Sequence, residues 1–358
     1  MDKYKKDLVD ALKQELNWNK ARVTFFVLFI LALFKVTTVN FVKIANGLNG
    51  KVEKESNYRR IQRFFENFII NYKYIAKLIL RLLPQKSDFI ISIDRTNWKF
   101  GKLNINILMA AIVYQGIAFP IVWMLLPKRG NSNTKERKKL IKRLFRFVGK
   151  EKIKAIVADR EFIGEKWFSW LTKNNITFYI RIKENALVKI KNQYKPIKCI
   201  FQSLQVGESL ILKKSRIIYG NKVYISGIRL KNEFLIIASN RKCDNALDIY
   251  NLRWEIETLF SAFKSRGFNF ESTHLTKLHR IEKLIALLAI AFCWAHLIGE
   301  WRCLQRPLKI KKHGAKEQSI FRYGLDHLTY CLLNINERMK EFEKCLQLFM
   351  EQLKFDPP

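Results

Sequence analysis

The spacing of apolar residues changes character twice along this chain, and the changes predict its architecture. Leu8, Leu12 and Leu16 repeat every fourth position, the period of one helix face, and residues 23–34 are apolar but for Thr24. Both stretches predict helices. A short helix over residues 39–48, closed by Gly47 and Gly50, precedes one that carries Arg59, Arg60 and Arg63, with Ser56 as a candidate N-cap. That pair has the outline of a helix-turn-helix, and equally of two members of a helical bundle with a basic surface. From residue 88 the pattern changes to strands. Residues 89–94, 105–114 and 117–126 are apolar segments punctuated by Gly116 and Pro127, as in a three-strand meander. A basic amphipathic helix over 134–148 follows, with Leu140, Ile141, Leu144, Phe145 and Val148 as its buried face. Then come a fourth strand over 155–158, a helix through Trp167 and Leu171, and a fifth strand over 177–182. The order predicts an α/β unit, a mixed sheet with helices against it.

Residues 185–240 read as strands alone, around 208–213, 222–231 and 234–238, with Gly220-Asn221 as a hairpin signal. The block is expected to be a β-rich insertion into the sheet-and-helix domain. Residues 250–264 contain neither Pro nor Gly and predict a helix, and residues 277–358 are helical again.

Charge narrows the partners. The formal net charge is +35, from 66 Lys and Arg against 31 Asp and Glu, which calls for a polyanion. Nucleic acid comes first, because each phosphate neutralised by Lys or Arg releases counterions; an anionic membrane surface is the rival. The lengths weaken that rival. Residues 23–34 end at Lys35, short of the roughly 20 apolar residues a spanning helix needs, and residues 285–301 are interrupted by His296 and Glu300. Both predict buried helices, and no membrane partner is expected. The first 17 residues form a charged amphipathic pattern rather than a secretory leader. With 49% hydrophobic residues the chain can bury a large core and is not a disordered one. Cys199, Cys243, Cys293, Cys303, Cys331 and Cys345 show no Cys-x-x-Cys spacing and no histidines at zinc spacing, so they read as reduced thiols of a cytosolic protein. The five histidines form no ligand set; His274 lies close behind the helix over 250–264, and His313 is isolated.

The candidate chemistry begins with Asp94 and Asp159, each expected at the end of a strand, where a rigid backbone aims a side chain into a cleft. On an ideal helix Tyr250, Arg253, Glu257 and Lys264 fall within roughly 60° of one another, opposite Leu252, Ile256, Leu259 and Phe263. Glu255 points away from Glu257. Three carboxylates are what a two-ion site needs, since Mg²⁺ prefers hard oxygen ligands, and a pair of ions serves phosphodiester cleavage. A phenol, a guanidinium and an ammonium on one face suit phosphate oxygens.

Ile-Asp94-Arg-Thr-Asn-Trp98, Ala-Asp159-Arg-Glu-Phe162 and Tyr250-x2-Arg253-x3-Glu257-x6-Lys264 resemble the three acidic motifs of DDE transposases of the insertion sequence four family, the last being its Tyr-Arg-Glu-Lys signature. The resemblance spans residues 88–276. It implies a ribonuclease-H-like (retroviral-integrase-like) fold, interrupted by a β-rich insertion and preceded by an all-helical N-terminal domain. The long interval from Asp159 to Glu257 fits such an insertion. The implied division is a helical DNA-binding domain over 1–85, a first catalytic segment over 86–184, the insertion over 185–240, a second catalytic segment over 241–300 and C-terminal helices over 301–358.

The resemblance further implies that Asp94, Asp159 and Glu257 bind two Mg²⁺ ions, with Mn²⁺ able to substitute, and that Tyr250, Arg253 and Lys264 hold transposon-end DNA. Arg160 joins them in orienting the site or contacting phosphate, or else forms a surface ion pair. Arg59, Arg60 and Arg63 are the candidate DNA contacts of the N-terminal domain, and Arg95 and Trp98, beside Asp94, are further candidates to approach DNA, with Trp98 equally suited to core packing. The Trp that some members of the family stack on a flipped base from the insertion is missing here, leaving Tyr219, Tyr224 and Phe234 as substitutes. The implied activity is end cleavage and strand transfer on double-stranded DNA, the element's terminal inverted repeats and a target, by a homodimer in a nucleoid-associated, cytoplasmic setting. The alternatives are an inactive repressor occupying the element's ends and a ribonuclease-H-like nuclease without strand transfer.

Overall fold

The computed structural model describes residues 2–48, 52–85, 87–190, 193–312, 314 and 316–354. Gly50 and His313 lie outside the described residues. The N-terminal stretch is helical as expected: α1 (Asp2–Leu16), α2 (Lys20–Val36), α3 (Phe41–Gly47), α4 (Lys54–Asn67) and α5 (Tyr72–Leu82). Asn19, Asn40 and Asn71 cap α2, α3 and α5 by accepting backbone N–H bonds. Ser56 is not the N-cap of α4, which starts earlier; Glu53 occupies that position without a side-chain bond. Buried Asn57 on α4 donates its amide to the Leu48 and Val52 carbonyls.

The sheet follows. β1 (Phe89–Phe100), β2 (Leu103–Tyr114) and β3 (Ile117–Leu125) form the meander; α6 (Thr134–Val148), β4 (Ile153–Ala158), α7 (Glu165–Lys173) and β5 (Phe178–Arg181) complete the expected series. The strand order is β3-β2-β1-β4-β5, with β4 parallel to both β1 and β5. β1 does not end at Asp94. It runs on to Phe100 because its other edge keeps pairing with β2 after β4 has stopped. Both faces of β4 are covered, as a parallel strand requires. Ala155 and Val157 lie in one cluster with Tyr179, Ile237 and Tyr250, while on the other face Phe168 of α7 packs against Phe178.

The block 185–240 only partly behaves as an insertion. β6 (Leu187–Ile190) and β7 (Gln193–Pro196) form a separate hairpin, but β8 (Ser209–Ile211), β10 (Asn221–Arg229) and β11 (Phe234–Ser239) extend the main sheet, with β9 (Arg216–Ile218) on β10. The physical reason is the free edge of β5. β11 pairs with it antiparallel and satisfies its backbone groups. The hairpin signal is displaced by one residue: Tyr219 and Gly220 form the two-residue turn, both at positive φ, and Asn221 pairs with Ile218.

α8 (Ala246–Asn251) and α9 (Glu255–Phe263) are separated by a 3₁₀ turn over Leu252–Trp254, so the single helix expected over 250–264 is tightened in its middle and ends before Lys264. α10 (Leu278–Gln305), α11 (Ile320–Leu333) and α12 (Met339–Leu353) close the chain. The chain divides into two units that do not follow its order: residues 87–97 with 106–258, and residues 1–86 with 98–105 and 259–358. In the second, the helices that the sequence assigns to separate terminal domains pack together, α2 with α10 and α11, and α12 with α1 and α5. α2 and α10 are apolar around most of their circumference and so need neighbours on all sides. α10 is long and apolar enough to cross a membrane, yet 89% of its most apolar stretch is buried within the protein.

Candidate active site

Strand register sets the first two carboxylates side by side. β1 and β4 pair in parallel, with Ser92 opposite Val157 and Ile93 opposite Ala158. Asp94 and Asp159 are the next positions, and the alternation of side chains puts them on the face that carries Ser92 and Val157. α8 covers that face through Tyr250, and the Ser92 hydroxyl donates to the Arg253 carbonyl. The 3₁₀ turn has three residues per turn, so Tyr250 and Arg253, three apart, point the same way. Both are buried, at 1% and 3% exposure.

Arg253 is the hub. Its Nη1 lies 3.3 Å from Asp94 Oδ2 and 2.9 Å from Glu257 Oε1, while the Tyr250 hydroxyl donates to Asp159 Oδ1 at 3.4 Å. Burial works against the guanidinium's charge, but Tyr250, Asp94 and Asp159 outweigh it and hold the proton on. Burial pushes the Asp94 carboxyl up to about 6, against the lowering effects of the Arg95 backbone N–H and Arg253. The Tyr250 phenol is likewise raised by burial. Glu257 reaches outward, with its side chain 44% exposed. The donor set fits divalent cations: the three carboxylates carry one guanidinium between them and keep an excess of negative charge on hard oxygen ligands.

Two supports escaped the sequence reading. Glu161 accepts from Arg95 Nε at 3.2 Å and from the Ser132 hydroxyl at 3.3 Å. Arg137, 5% exposed on α6, donates to the Ser132 side chain and to the carbonyls of Ser132, Glu161 and Ile163. Together they pin the loop that follows Asp159. Arg95, which the sequence offers as a DNA contact, is thus spent on Glu161, Asn106 and Asn131. Glu255 is the second support. It is 8% exposed and accepts the backbone N–H groups of Tyr114 and Gly116 at 2.8 and 3.0 Å, which ties the start of α9 to the β2–β3 turn. Burial raises its carboxyl to about 7.

Residues 85–294, more than half of the chain, match the family described as Transposase DDE domain. The protein belongs to this family. It is a DNA transposase of the DDE type, and DNA transposition is its process. No curated protein matches the chain. Among solved structures, the cryo-EM structure of piggyBac transposase synaptic complex with hairpin DNA is similar, with a TM-score of 0.49 and 14% identity, covering 94% of this chain and 76% of that one.

The other expected site residues of the transposase fall elsewhere. Arg160 is 56% exposed and lies 3.9 Å from Glu233, which is already paired with Arg181 at 2.5 Å. Lys264 belongs to the helical unit, where it pairs with Glu271 at 2.9 Å and lies over the Trp98 ring at 5.5 Å. Trp98 packs edge-on against Phe270 in that unit. On α4, Arg59 and Arg63 are exposed, whereas Arg60 is half-buried over the Phe25 ring. Of the stacking candidates, Phe234 is buried beneath Arg229 and Tyr219 packs on Phe168, while Tyr224 is half-buried. Two aromatics that the sequence did not single out are exposed: Tyr194, at 72%, and Trp254, at 54% beside Arg253.

Proposed function

We propose that this DDE transposase is a member of the insertion sequence four family that cuts the ends of its element and joins the freed 3′-hydroxyls to target DNA. The observation that carries the reading is the β1–β4 register, which sets Asp94 beside Asp159, with Arg253 linking Asp94 to Glu257. The strand order β3-β2-β1-β4-β5 supports a ribonuclease-H-like core. Asp94, Asp159 and Glu257 would hold two divalent ions, Mg²⁺ or Mn²⁺. Such a pair would supply an activated attacking oxygen and a stabilised leaving oxygen.

Among the described residues these carboxylate oxygens do not form a cluster within 4.8 Å of one another. Two ions about 3.5–4 Å apart need a wider set than one ion does. Glu257, exposed and at the outer edge, can move toward the aspartates when the charge on Arg253 is drawn to a phosphate. Tyr250 and Arg253 are then a phenol and a guanidinium next to the scissile phosphate, the arrangement suited to orienting it. Lys264, Arg160 and the exposed Arg59 and Arg63 would contact the DNA backbone. The ends are brought together by a homodimer on DNA, in the nucleoid of the cytoplasm.

The test is a labelled terminal inverted repeat incubated with the chain and Mg²⁺, with and without target DNA. Cleavage followed by a joined product supports the proposal, and both disappear in D159N and E257Q. Binding without any cutting would favour a repressor, and cutting without joining a nuclease. Cleavage that survives D159N would overturn the assignment of the site.

A further inference from the structure

The sequence lacks the usual spacings of a zinc site, yet the helical unit assembles a ligand set from two helices. His327 and Cys331 stand four apart on α11, and Glu341 and Cys345 four apart on α12, so each pair occupies one face of its helix. The two helices pack together. Cys331 Sγ lies 3.7 Å from His327 Nε2, 3.9 Å from Nδ1 and 4.0 Å from Glu341 Oε2. One ligand atom from each of these three residues falls within 4.8 Å of the others. Cys345, buried one turn beyond Glu341, is near enough to Cys331 for the two thiols to act on each other. In a tetrahedral zinc site, bonds of about 2.3 Å to sulfur and 2.0–2.2 Å to nitrogen or oxygen set those ligand atoms roughly 3.5–3.6 Å apart. The separations from Cys331 are therefore a few tenths of an ångström wider than the occupied geometry, and the whole set, within 4.8 Å, must draw in around the ion.

We propose that His327, Cys331, Glu341 and Cys345 bind a single Zn²⁺ that fastens α11 to α12. This site is independent of the carboxylates of the catalytic unit and of the reaction there. Burial favours it. Cys331 and Cys345 are fully buried and His327 is 6% exposed, so the ion would be shielded from water, and two thiolates are soft ligands that select zinc over magnesium. Arg338 Nη1 holds Glu341 Oε1 at 2.7 Å, which leaves Oε2 turned toward the sulfur. Such outer partners orient the ligands of metal sites. Arg302 Nη1 lies 3.0 Å from His327 Nδ1, so a guanidinium is the cation that the cluster holds in this structure. Metal binding requires that head to turn aside. A cavity of about 360 Å³, lined by Arg302, Arg306, Tyr330 and Arg338, gives it room and gives an ion a way in. Binding releases the two thiol protons to solvent as Cys331 and Cys345 become thiolates.

The untagged chain, expressed with added zinc and passed through gel filtration, tests this by elemental analysis. Equimolar zinc is expected, lost in C331S and in H327A, with the helical circular dichroism of both variants kept. Replacement by Co²⁺ gives sulfur-to-cobalt charge-transfer absorption and tetrahedral visible bands. Should the variants fail to fold, the wild type still decides: a zinc chelator should lower its melting temperature and expose Cys331 and Cys345 to alkylation, and zinc should reverse both. A chain that retains less than a tenth of an equivalent of zinc, or that keeps its zinc in C331S, overturns the proposal. So does finding Cys331 and Cys345 joined as a disulfide.

Discussion

Replacing Asp94 by Asn should stabilise the chain while abolishing its chemistry, and the size of the effect follows from the site. Burial raises the carboxyl from its ordinary 3.8 to about 6 even with Arg253 and the Arg95 N–H in place. The fold therefore prefers Asp94 protonated. The stability this group contributes is fully present below about pH 3.8 and is lost as pH rises through about 6. With roughly 1.4 kcal/mol for each unit of displacement, the stability lost relative to low pH is about 3 kcal/mol at pH 7.5, where the folded chain must hold Asp94 ionised, and about 1.5 kcal/mol at pH 5, where only the unfolded chain ionises it. The amide of Asn resembles the protonated acid and keeps an oxygen for the Arg95 N–H. D94N should then gain about 1.5 kcal/mol more at pH 7.5 than at pH 5, a difference in which any fixed packing change cancels. Urea unfolding of the metal-free wild type and D94N at the two pH values reads it directly. Adding Mg²⁺ should raise the wild-type midpoint by binding the native state and leave D94N where it is. A D94N chain no more stabilised at pH 7.5 than at pH 5 would refute the claim that this carboxylate is kept charged against its surroundings.

Three further outcomes are expected. Glu255→Ala strips two partly exposed backbone N–H groups of their acceptor, at about 1 kcal/mol each, and by loosening α9 it should lower the cleavage rate more than DNA affinity, as measured by single-turnover kinetics beside a binding isotherm. In the helical unit α10 and α11 meet at Gly299 and Gly324, where a Cβ on Gly324 would collide with the Ala295 carbonyl oxygen. Gly324→Ala should therefore lower the melting temperature by several degrees in calorimetry, and an unchanged value would mean that the helices do not approach so closely. Removing the exposed Arg59 and Arg63 together should weaken DNA binding at every sequence tested and flatten its salt dependence by up to about two counterions, since each phosphate contact contributes roughly 0.9 to the slope. An unaltered slope would take α4 off the DNA.

The extent to which each part was legible depends on how local its cause is. The helix over 134–148 and the β1–β5 series follow from periodicity and turn residues, which act within a few positions. Asp94, Asp159 and Glu257 are legible because their neighbours form recognisable motifs. Glu161, Arg137 and Glu255 are not, because each works through partners far away in sequence: Arg95 for the first, the Ile163 carbonyl for the second and the Tyr114 N–H for the third. The zinc ligands escaped for a similar reason. Their four-residue spacings are ordinary in helices and acquire meaning only when two helices face each other.

The chain by itself determined which segments are helix and strand, a charge suited to polyanions and three acidic motifs in order. Those depend on side-chain chemistry and short-range geometry alone. Only the tertiary structure decided that β11 would take the open edge of β5, that the terminal helices would share one core, and that Tyr250 and Arg253 would be buried against the carboxylates rather than displayed to solvent. Apolar burial is non-directional, so the sequence dictates how much surface must be covered but not what covers it. Long-range pairing makes that choice, and the choice fixes where each charge of the site finds its partner.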